Sequence, residues 1–334
     1  MAIDSRRPTI RDVAKLSGVS VATVSYVLNG KESEGVGDEA KRRVRAAVSQ
    51  LGYMPNAAGT ALRRGHSDVV LILLDPSFVG DVSEHSLLTT VAALTGLGHT
   101  VVTHTVTSEP EAVKVARSLQ PRGVVLFAFV TARTYGELRT FGAGRVFGIP
   151  PVDDPSTADR PWERAIGRAQ LRHVVACGHE RVLYAFPEPS ARLVIAEHRL
   201  RGVRDECRSL GLPEPRVFTL PLTRSGAVTA LSNLPEARGA AVCAADDRHG
   251  LAVLAAAADL GWSVPSDVAV IGAEDTVESR LSVPALTSVR LLESERTEDL
   301  RDWVEAALNG RETTSDGFRE EHGVSPEVVA RGST

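Results

Sequence analysis

The sequence predicts a small all-α head followed by a larger α/β body of two lobes. Residues 1–65 hold 11 basic and 6 acidic side chains, whereas the remaining residues of the 334-residue chain hold 27 basic and 36 acidic ones. Beyond residue 67, apolar runs of strand length alternate with helical segments, which is typical of parallel sheets covered by helices. A basic head on an acidic body is typical of a nucleic-acid reader joined to a sensing or dimerising domain.

Three short helices are predicted in the head. Thr9 is placed to cap a helix over residues 10–16, and Gly18 then permits a sharp turn. Ser20 is placed to cap a second helix over residues 20–28. Two short helices about a glycine-containing turn form a helix-turn-helix, whose second helix enters a DNA major groove.

The third predicted helix follows in the segment DEAKRRVRAAVSQLGY, residues 38–53. Its apolar residues recur at helical spacing and form one stripe: Ala40, Val44, Ala47, Val48 and Leu51. Its basic residues are expected to stay in solvent: Lys41, Arg42, Arg43 and Arg45.

Two stretches of the head, TIRDVAKLSGVSVATVSYVLNG and LGYMPNAAGTAL, resemble the lactose/galactose-repressor (LacI/GalR) family of bacterial transcription regulators. The resemblance implies a helix-turn-helix DNA-binding domain over residues 1–54 and a hinge helix with a linker over residues 55–66. It also implies a homodimer that binds a palindromic operator in double-stranded DNA, usually as a repressor. Together with side-chain chemistry, it indicates these DNA-contacting residues: Thr9, Ser20, Val21, Ala22, Thr23, Ser25, Tyr26, Asn29, Asn56, Ala57 and Leu62.

Tyr26 and the pair Gly59–Thr60 depart from the family pattern, and Leu62 matches a residue with a special role in the family. Relatives mostly have arginine where this chain has Tyr26, so the base read at that position is expected to differ. Leu62 matches the leucine that the family inserts into the minor groove, where an apolar wedge unstacks a base step. Gly59 and Thr60 stand where the family usually has Ala-Arg, and glycine disfavours a helix by up to about 1 kcal/mol.

In the body, eight apolar runs read as strands. The first four are DVVLILLD, TVVTHTV, RGVVLFAF and GRVFGI, and the same alternation restarts after Pro161 with RVLYAF, PRVFTL, GAAVCAA and DVAVIGA. Two similar α/β lobes in sequence predict a clamshell, with a ligand cleft at the carboxyl ends of the strands.

The body also resembles the LacI/GalR family, most clearly in AAVCAADDRHGLAVLAAAADLGWSVPSDVAVIGAEDT. The resemblance implies a periplasmic-binding-protein-like domain for effector binding and dimerisation over residues 67–334. Lobe 1 is expected at about 67–160 and 291–312, and lobe 2 at about 161–290 and 313–334.

Four residues are candidates for an effector site. Arg199 matches the arginine that hydrogen-bonds the ligand in the family, Asp246 stands where most relatives have Asn, and Glu274 where most have Asp. Pro221 replaces the aromatic that often stacks on a sugar ring, and Trp162 is a candidate substitute. Two interpretations stay open: a small-molecule effector, such as a sugar or related metabolite, or a degenerate cleft in which Arg199 is held by its own carboxylates.

Rival classes are an enzyme and a small-molecule-binding α/β protein. The sequence contains no Walker A, GxSxG or HExxH motif, and its histidines lack metal-ligand spacing, so neither catalysis nor a cofactor or metal is expected. A periplasmic binding protein shares the clamshell, but the basic head and the N-terminus without an apolar signal core argue against it. The predicted location is therefore the cytoplasm, without membrane contact, and the three cysteines are expected to be buried thiols.

Overall fold

The computed structural model describes residues 8–28, 36–53, 65–76, 81–149, 151–153, 161–188, 193–291, 297–311 and 325–334. The chain divides into two compact units, residues 1–67 and residues 68–334. The predicted helical head and α/β body correspond to this division.

The described residues of the head form three helices: α1 (Ile10–Ser17), α2 (Val21–Leu28) and α3 (Asp38–Leu51). They share one apolar core, which consists of Val13, Ala14, Val24, Val27, Val44, Ala47 and Tyr53. Lys41 differs from the prediction that the basic side chains of α3 stay fully in solvent. Its side chain is 18 % exposed and its Nζ lies 3.5 Å from Asp38 Oδ1, because it folds back along the first turn.

Local hydrogen bonds define where the first two helices begin and end. The backbone N–H and the hydroxyl of Thr9 donate to the Asp12 carboxylate at 2.8 and 2.7 Å. Gly18 ends α1 at φ +67°, a conformation that glycine adopts without steric cost. Ser20 Oγ accepts from the backbone N–H of Thr23 at 3.0 Å and so caps α2.

The first sheet of the body is parallel, in the order β2–β1–β3–β4. Its strands are β1 (Val69–Leu74), β2 (Thr100–Thr105), β3 (Gly123–Phe127) and β4 (Val146–Gly148). Its helices are α4 (Asp81–Gly96), α5 (Glu109–Leu119) and α6 (Ala132–Leu138). Alternate residues of β1 face two separate cores, since Val70 and Ile72 belong to one cluster while Leu71 and Leu73 belong to the other.

The second sheet has the order β10–β9–β8–β7–β5–β6, and all its pairs are parallel except β10–β9. Its strands are β5 (Val182–Pro187), β6 (Arg216–Leu220), β7 (Ala240–Ala244), β8 (Val268–Ala273), β9 (Thr287–Leu291) and β10 (Pro326–Val329). Helix α7 (Pro161–Ala176) precedes β5, and the helices between the later strands are α8 (Leu193–Leu210), α9 (Arg224–Ser232), α10 (Asp247–Asp259) and α11 (Val277–Leu281). A 3₁₀ turn spans Pro235–Ala237.

All eight predicted strands are present, and the structure adds β9 and β10. In β9, Thr287 and Ser288 are polar yet fully buried, so no apolar run marks the strand in the sequence. The last helix, α12 (Thr297–Leu308), returns to the first sheet, where Trp303 and Val304 pack in one core with Val70. The chain therefore crosses between the two sheets more than once.

The described residues include all three cysteines, two buried and one exposed. Cys207 and Cys243 are buried as expected, but the expectation was wrong for Cys177, which is exposed because it follows the end of α7. Within the described ranges, no helix is both long and apolar enough to cross a membrane. The same ranges contain no cluster of His, Cys, Asp and Glu arranged to hold a metal ion.

Candidate functional site

The first candidate surface is the outer face of α2. Val24 and Val27 are buried in the head core, and the side chains on the opposite face point away from it. Val21 is 42 % exposed and Tyr26 is 47 % exposed, and Ala22 is exposed between them. An apolar and uncharged surface is therefore held outward by a helix that is anchored on its other side.

The hydroxyl groups near the start of α2 are partly engaged with one another. Ser20 Oγ and Thr23 Oγ1 lie 2.8 Å apart, and Thr9 donates its hydroxyl proton to Asp12. Ser25 is half-buried in the same helix. The Ser20 and Thr23 hydroxyl protons can rotate toward another acceptor.

Four of the predicted DNA-contacting residues lie outside the described residues, namely Asn29, Asn56, Ala57 and Leu62. The predicted hinge helix lies in the same undescribed stretch, as do Gly59 and Thr60.

The second candidate site is in the body and depends on the close approach of α7 and α8. A Cβ atom on Gly167 would lie 1.9 Å from the backbone oxygen of Arg199. A Cβ atom on Gly202 would lie 2.0 Å from the backbone oxygen of Arg164. Each glycine thus lets the backbone of one helix approach the other, and side chains on both helices meet at their N-terminal halves.

Arg199 is the centre of this site. It is 4 % exposed, and its Nε donates to Glu163 at 2.8 Å. Its Nη1 donates to the backbone oxygen of Ala245 at 2.6 Å and to Glu274 at 3.3 Å. The guanidinium is therefore bonded to α7, to the end of β7 and to the end of β8.

The charge balance of the cluster keeps Arg199 ionised. Burial lowers the pKa of the guanidinium, but the attraction of Glu163 and Glu274 outweighs it, so the pKa lies above its ordinary value. Both carboxylates are largely buried, with 13 % of each side chain exposed. The guanidinium therefore has a carboxylate on each of two sides, Glu163 from α7 and Glu274 after β8.

Asp246 and Trp162 are each adjacent in sequence to a residue that bonds to Arg199. Asp246 follows Ala245 and caps α10, accepting from the His249 backbone N–H at 3.0 Å and from His249 Nδ1 at 2.6 Å. Trp162 precedes Glu163 and lies in the first turn of α7. Its indole N–H is buried, and no described residue accepts a hydrogen bond from it.

Glu274 is presented by an unusual turn. Glu274 has φ +106° and the next residue, Asp275, has φ +54°, a region that costs a non-glycine residue about 1–3 kcal/mol. Hydrogen bonds compensate: the Glu274 N–H donates to Val289 at 2.7 Å and the Asp275 N–H donates to Ser288 Oγ at 3.0 Å. The turn therefore depends on its neighbours to hold Glu274 toward Arg199.

Asp247 supports this turn through hydrogen bonds to Thr276 and Ser288. Its carboxylate is fully buried and accepts from the Thr276 backbone N–H at 2.8 Å and from the Ser288 hydroxyl at 2.6 Å. Burial raises the pKa of Asp247 to about 7, although these hydrogen bonds oppose the rise. Asp247 lies immediately after Asp246 and links the ends of three strands.

Sequence reasoning placed Arg199 between two carboxylates and named Asp246 and Glu274. The structure brings Arg199 and Glu274 together, but the carboxylate on Nε is Glu163, which sequence reasoning did not name. Glu163 and Arg199 are 36 residues apart, and no motif links them. The only indication in the sequence is a glycine inside each of two neighbouring helices, Gly167 and Gly202.

Comparison with known proteins gives two family matches. The model of bacterial regulatory proteins of the lacI family matches residues 9–56, and that of the periplasmic binding protein-like domain matches residues 171–334. The HTH-type transcriptional regulator GntR of Pseudomonas aeruginosa is 30% identical over 299 residues, which cover 85% of this chain and 84% of that protein. The chain belongs to the LacI family.

Other LacI-family proteins show similar agreement. CelR of Thermobifida fusca is 30% identical over 307 residues, covering 85% of this chain and 87% of that protein. A solved Lac repressor dimer bound to operator and the anti-inducer ONPF has a TM-score of 0.72 at 18% identity, covering 98% of this chain and 99% of that one. A solved CelR–cellobiose complex has a TM-score of 0.66 at 23% identity, covering 98% of this chain and 100% of that one. At such identities the structures show the shared fold.

Membership in the LacI family confirms the predicted class and general function. The chain is a DNA-binding transcriptional regulator, with a helix-turn-helix head and a two-lobe α/β body like that of periplasmic binding proteins. Its relatives are transcriptional regulators rather than enzymes.

Proposed function

We propose that this LacI-family regulator represses transcription as a homodimer, each protomer inserting α2 into the major groove of one operator half-site. The observation that supports the proposal is the outward face of α2. The opposite face of this helix packs in the head core, and the outward side chains are uncharged, so contact with base edges buries no charge of the protein. A two-fold dimer fits a palindromic operator because protein and DNA then share one symmetry axis. One solved relative is described as a repressor dimer bound to operator.

The contacts divide by chemistry. Short hydroxyl and amide side chains suit phosphate oxygens, which fix the position of the head on the duplex, and this group consists of Thr9, Ser20, Thr23, Ser25 and Asn29. Val21, Ala22 and Tyr26 face base edges. Asn56 and Ala57 belong to the proposed hinge, and Leu62 is its minor-groove wedge.

The division of the chain remains part of this proposal. Residues 1–54 bind DNA, residues 55–66 form the hinge and linker, and residues 67–334 form the regulatory body. Packing supports the assignment of 291–312 to lobe 1 and 313–334 to lobe 2, since α12 packs on the first sheet and β10 pairs with the second.

In the body, we place a small-molecule effector beside Arg199, Asp246, Glu274 and Trp162. Glu163 already occupies Arg199 Nε, so a ligand that binds the arginine there competes with this carboxylate. The side-chain carboxylates at this site accept hydrogen bonds, which favours ligands rich in hydroxyl or amino donors over anionic ones, and a carbohydrate satisfies this requirement. The solved CelR complex is described as containing cellobiose.

A ligand at this position is well placed to influence both lobes. Leu74, at the end of β1, and Ile195, one helical turn before Arg199, belong to one buried apolar cluster. A ligand that changes the packing around Arg199 therefore acts close to the contact between the two sheets. The operator affinity shifts only as far as the ligand binds the two states differently.

The proposal places the regulator in the cytoplasm, where its operator is accessible. The test begins by selecting bound sequences from random duplex DNA with the full-length protein. Enrichment of a palindrome supports operator binding by a dimer, and enrichment of no sequence contradicts it.

The effector is tested by titrating neutral sugars, amino sugars and sugar phosphates into the protein–operator complex. A neutral or amino sugar that changes the operator Kd in the wild-type protein, but not in Glu274→Gln, supports the site. A flat response to all three classes supports the alternative, a LacI-family repressor whose cleft is closed by the Glu163–Arg199–Glu274 cluster. A matched control is Glu236→Gln, since Glu236 pairs with Arg216 on β6 and not with Arg199.

A further inference from the structure

The surface of α2 lacks the side chains that usually read bases. Its sequence, VATVSYVL, contains no charged residue and no Asn or Gln. Arginine or lysine to guanine, and Asn or Gln to adenine, are the bidentate pairs that provide most direct readout in the major groove. None of these pairs is available from Val21–Leu28.

The exposed face of α2 offers methyl groups and one aromatic ring instead. Val21, Ala22 and Tyr26 are its exposed residues, and Val24 and Val27 are committed to the core. Both Val21 and Ala22 lie in the first turn, which is the part of a recognition helix nearest the base edges. This arrangement involves only residues from Val21 to Leu28, all of which the structure describes.

The neighbouring hydroxyl groups do not replace the missing donors. Ser20 and Thr23 are hydrogen-bonded to each other at 2.8 Å, and Ser20 also accepts the Thr23 backbone N–H. Reading a base with either hydroxyl therefore loses or rearranges the cap of α2. The Tyr26 hydroxyl forms no hydrogen bond to a described residue, but a single hydroxyl bonds to either base type and discriminates weakly.

Thymine is the base that matches such a surface. Among the four bases, thymine presents an apolar group in the major groove, its C5-methyl. Small apolar side chains recognise this methyl by contact. We propose that α2 specifies its half-site mainly through thymine methyl groups packed against Val21, Ala22 and the ring of Tyr26, an inference that rests on the proposed operator binding by α2. The half-site under α2 is therefore rich in A·T pairs.

The decisive experiment removes the methyl groups from the DNA and leaves the protein unchanged. An operator selected with the full-length protein is synthesised with deoxyuridine in place of each thymidine in turn, symmetrically in both half-sites. Base pairing and hydrogen bonding are retained, and only the methyl is lost. At contacted positions each lost methyl is expected to weaken binding about fourfold, or ~15-fold for a symmetric pair, since one buried methylene-sized group contributes about 0.8 kcal/mol.

A gain of methyl provides the complementary test. At a contacted position, a C·G pair is expected to bind more weakly than T·A, and 5-methylcytosine is expected to recover about fourfold of the loss because it restores the methyl. Affinity for unrelated duplex DNA serves as the reference in every case, since phosphate contacts are insensitive to these changes.

Protein variants locate the contact. In Val21→Ala, replacement of the contacted thymine by uracil is expected to weaken binding less than it does in the wild-type protein. The variant has already lost the contact between the Val21 side chain and that methyl, so removing the methyl has a smaller effect. Tyr26→Phe is expected to keep the uracil sensitivity, because the ring is retained.

The outcomes separate this inference from the function on which it rests. If a palindrome is selected but its uracil-substituted form binds as tightly as the thymine form, the methyl inference is overturned and operator binding stands. A selected half-site in which only G·C pairs matter also overturns it. If no sequence is enriched, operator binding itself has failed.

Discussion

The two proposed recognition surfaces, α2 in the head and the Arg199 site in the body, are of opposite kinds. On α2 the recognition side chains are exposed and uncharged, and they contribute little to the head core. In the body, Arg199 is buried and is bonded to α7, to the end of β7 and to the turn after β8. The recognition surface of the head is therefore separable from the stability of its fold, and that of the body is not.

The physical reason lies in the partner. Duplex DNA is large, and its groove surface covers the side chains of the protein on binding. The protein therefore needs only a firmly held helix face, whose side chains remain solvated until DNA binds. A small ligand must be enclosed, and charged groups in an enclosed site require partners even when no ligand is bound. In this chain Glu163 and Glu274 supply those partners.

The largest expected effect concerns Arg199. Arg199→Ala removes the guanidinium that pairs with the largely buried Glu163 and Glu274. Removal of one partner from a buried ion pair typically destabilises a fold by about 3–5 kcal/mol. The measurement is urea-induced unfolding of the full chain, followed by far-UV circular dichroism. The matched control is Arg224→Ala, because Arg224 is 69 % exposed and bonds to Asp259 on the surface, where an ion pair contributes little to stability. Equal losses in the two variants would contradict the contrast between buried and exposed recognition.

A smaller effect is expected from the close approach of the two helices. Gly202→Ala places a Cβ atom 2.0 Å from the Arg164 backbone oxygen, so α7 and α8 must separate. Overpacking of this kind costs about 1–3 kcal/mol. Gly136→Ala is the control, since Gly136 lies in α6 with open space around it and alanine favours a helix by up to about 1 kcal/mol. Thermal unfolding of both variants checks the prediction, which fails if Gly202→Ala is as stable as the wild type.

The pH dependence of stability tests Asp247. Its pKa is raised to about 7 in the folded body, so between about pH 4 and pH 7 the folded state binds more protons than the unfolded state. Stability is therefore expected to fall as the pH rises through this window, by about 1–2 kcal/mol between pH 5 and pH 7.

Asp247→Asn should remove this slope. In urea titrations at pH 5, 6 and 7, the difference in unfolding free energy between variant and wild type should change with pH. Asp259→Asn is the matched control, because its exposed carboxylate has a pKa lowered by Arg224 and stays ionised throughout this range. A slope that persists in Asp247→Asn would assign the titration to another group.

The smallest effect on stability is expected on α2. Tyr26→Ala should change the unfolding free energy by no more than about 0.5 kcal/mol, since the side chain is largely exposed. Specific operator binding should nevertheless weaken, and affinity for unrelated DNA should not. Tyr26→Arg should change the selected half-site at one base pair toward guanine, which arginine reads with two hydrogen bonds. An unchanged half-site would place Tyr26 away from the base edges.

The head was largely predictable because its determinants are local. Thr9 caps through Asp12 three residues later, Gly18 supplies the left-handed turn, and Ser20 caps through Thr23. Such interactions span less than one helical turn, so their residue types and spacing are visible in the sequence. The buried strands β1, β5, β7 and β8 were predictable for a related reason, since each is a nearly continuous apolar run.

The last two strands of the second sheet, β9 and β10, were not predictable. β9 begins with buried polar residues that bond to the C-terminal tail, where the Thr287 N–H donates to Ser333 Oγ at 2.8 Å. β10 is a four-residue edge strand that begins with Pro326. Neither strand has the alternation or the apolar run from which strands are predicted.

The amino-acid order alone therefore sufficed for the helix-turn-helix, the alternation of strands and helices, and the family. Tertiary packing decided which carboxylate meets Arg199, and how Asp247, Ser288 and Thr276 hold the strained turn at Glu274. These groups come from separate elements, and they meet because Gly167 and Gly202 let two helices approach and because parallel strands end at one edge of the sheet. An ion pair between residues that are distant in sequence depends on which faces of the helices and strands pack together. Sequence separation contains no information about that packing.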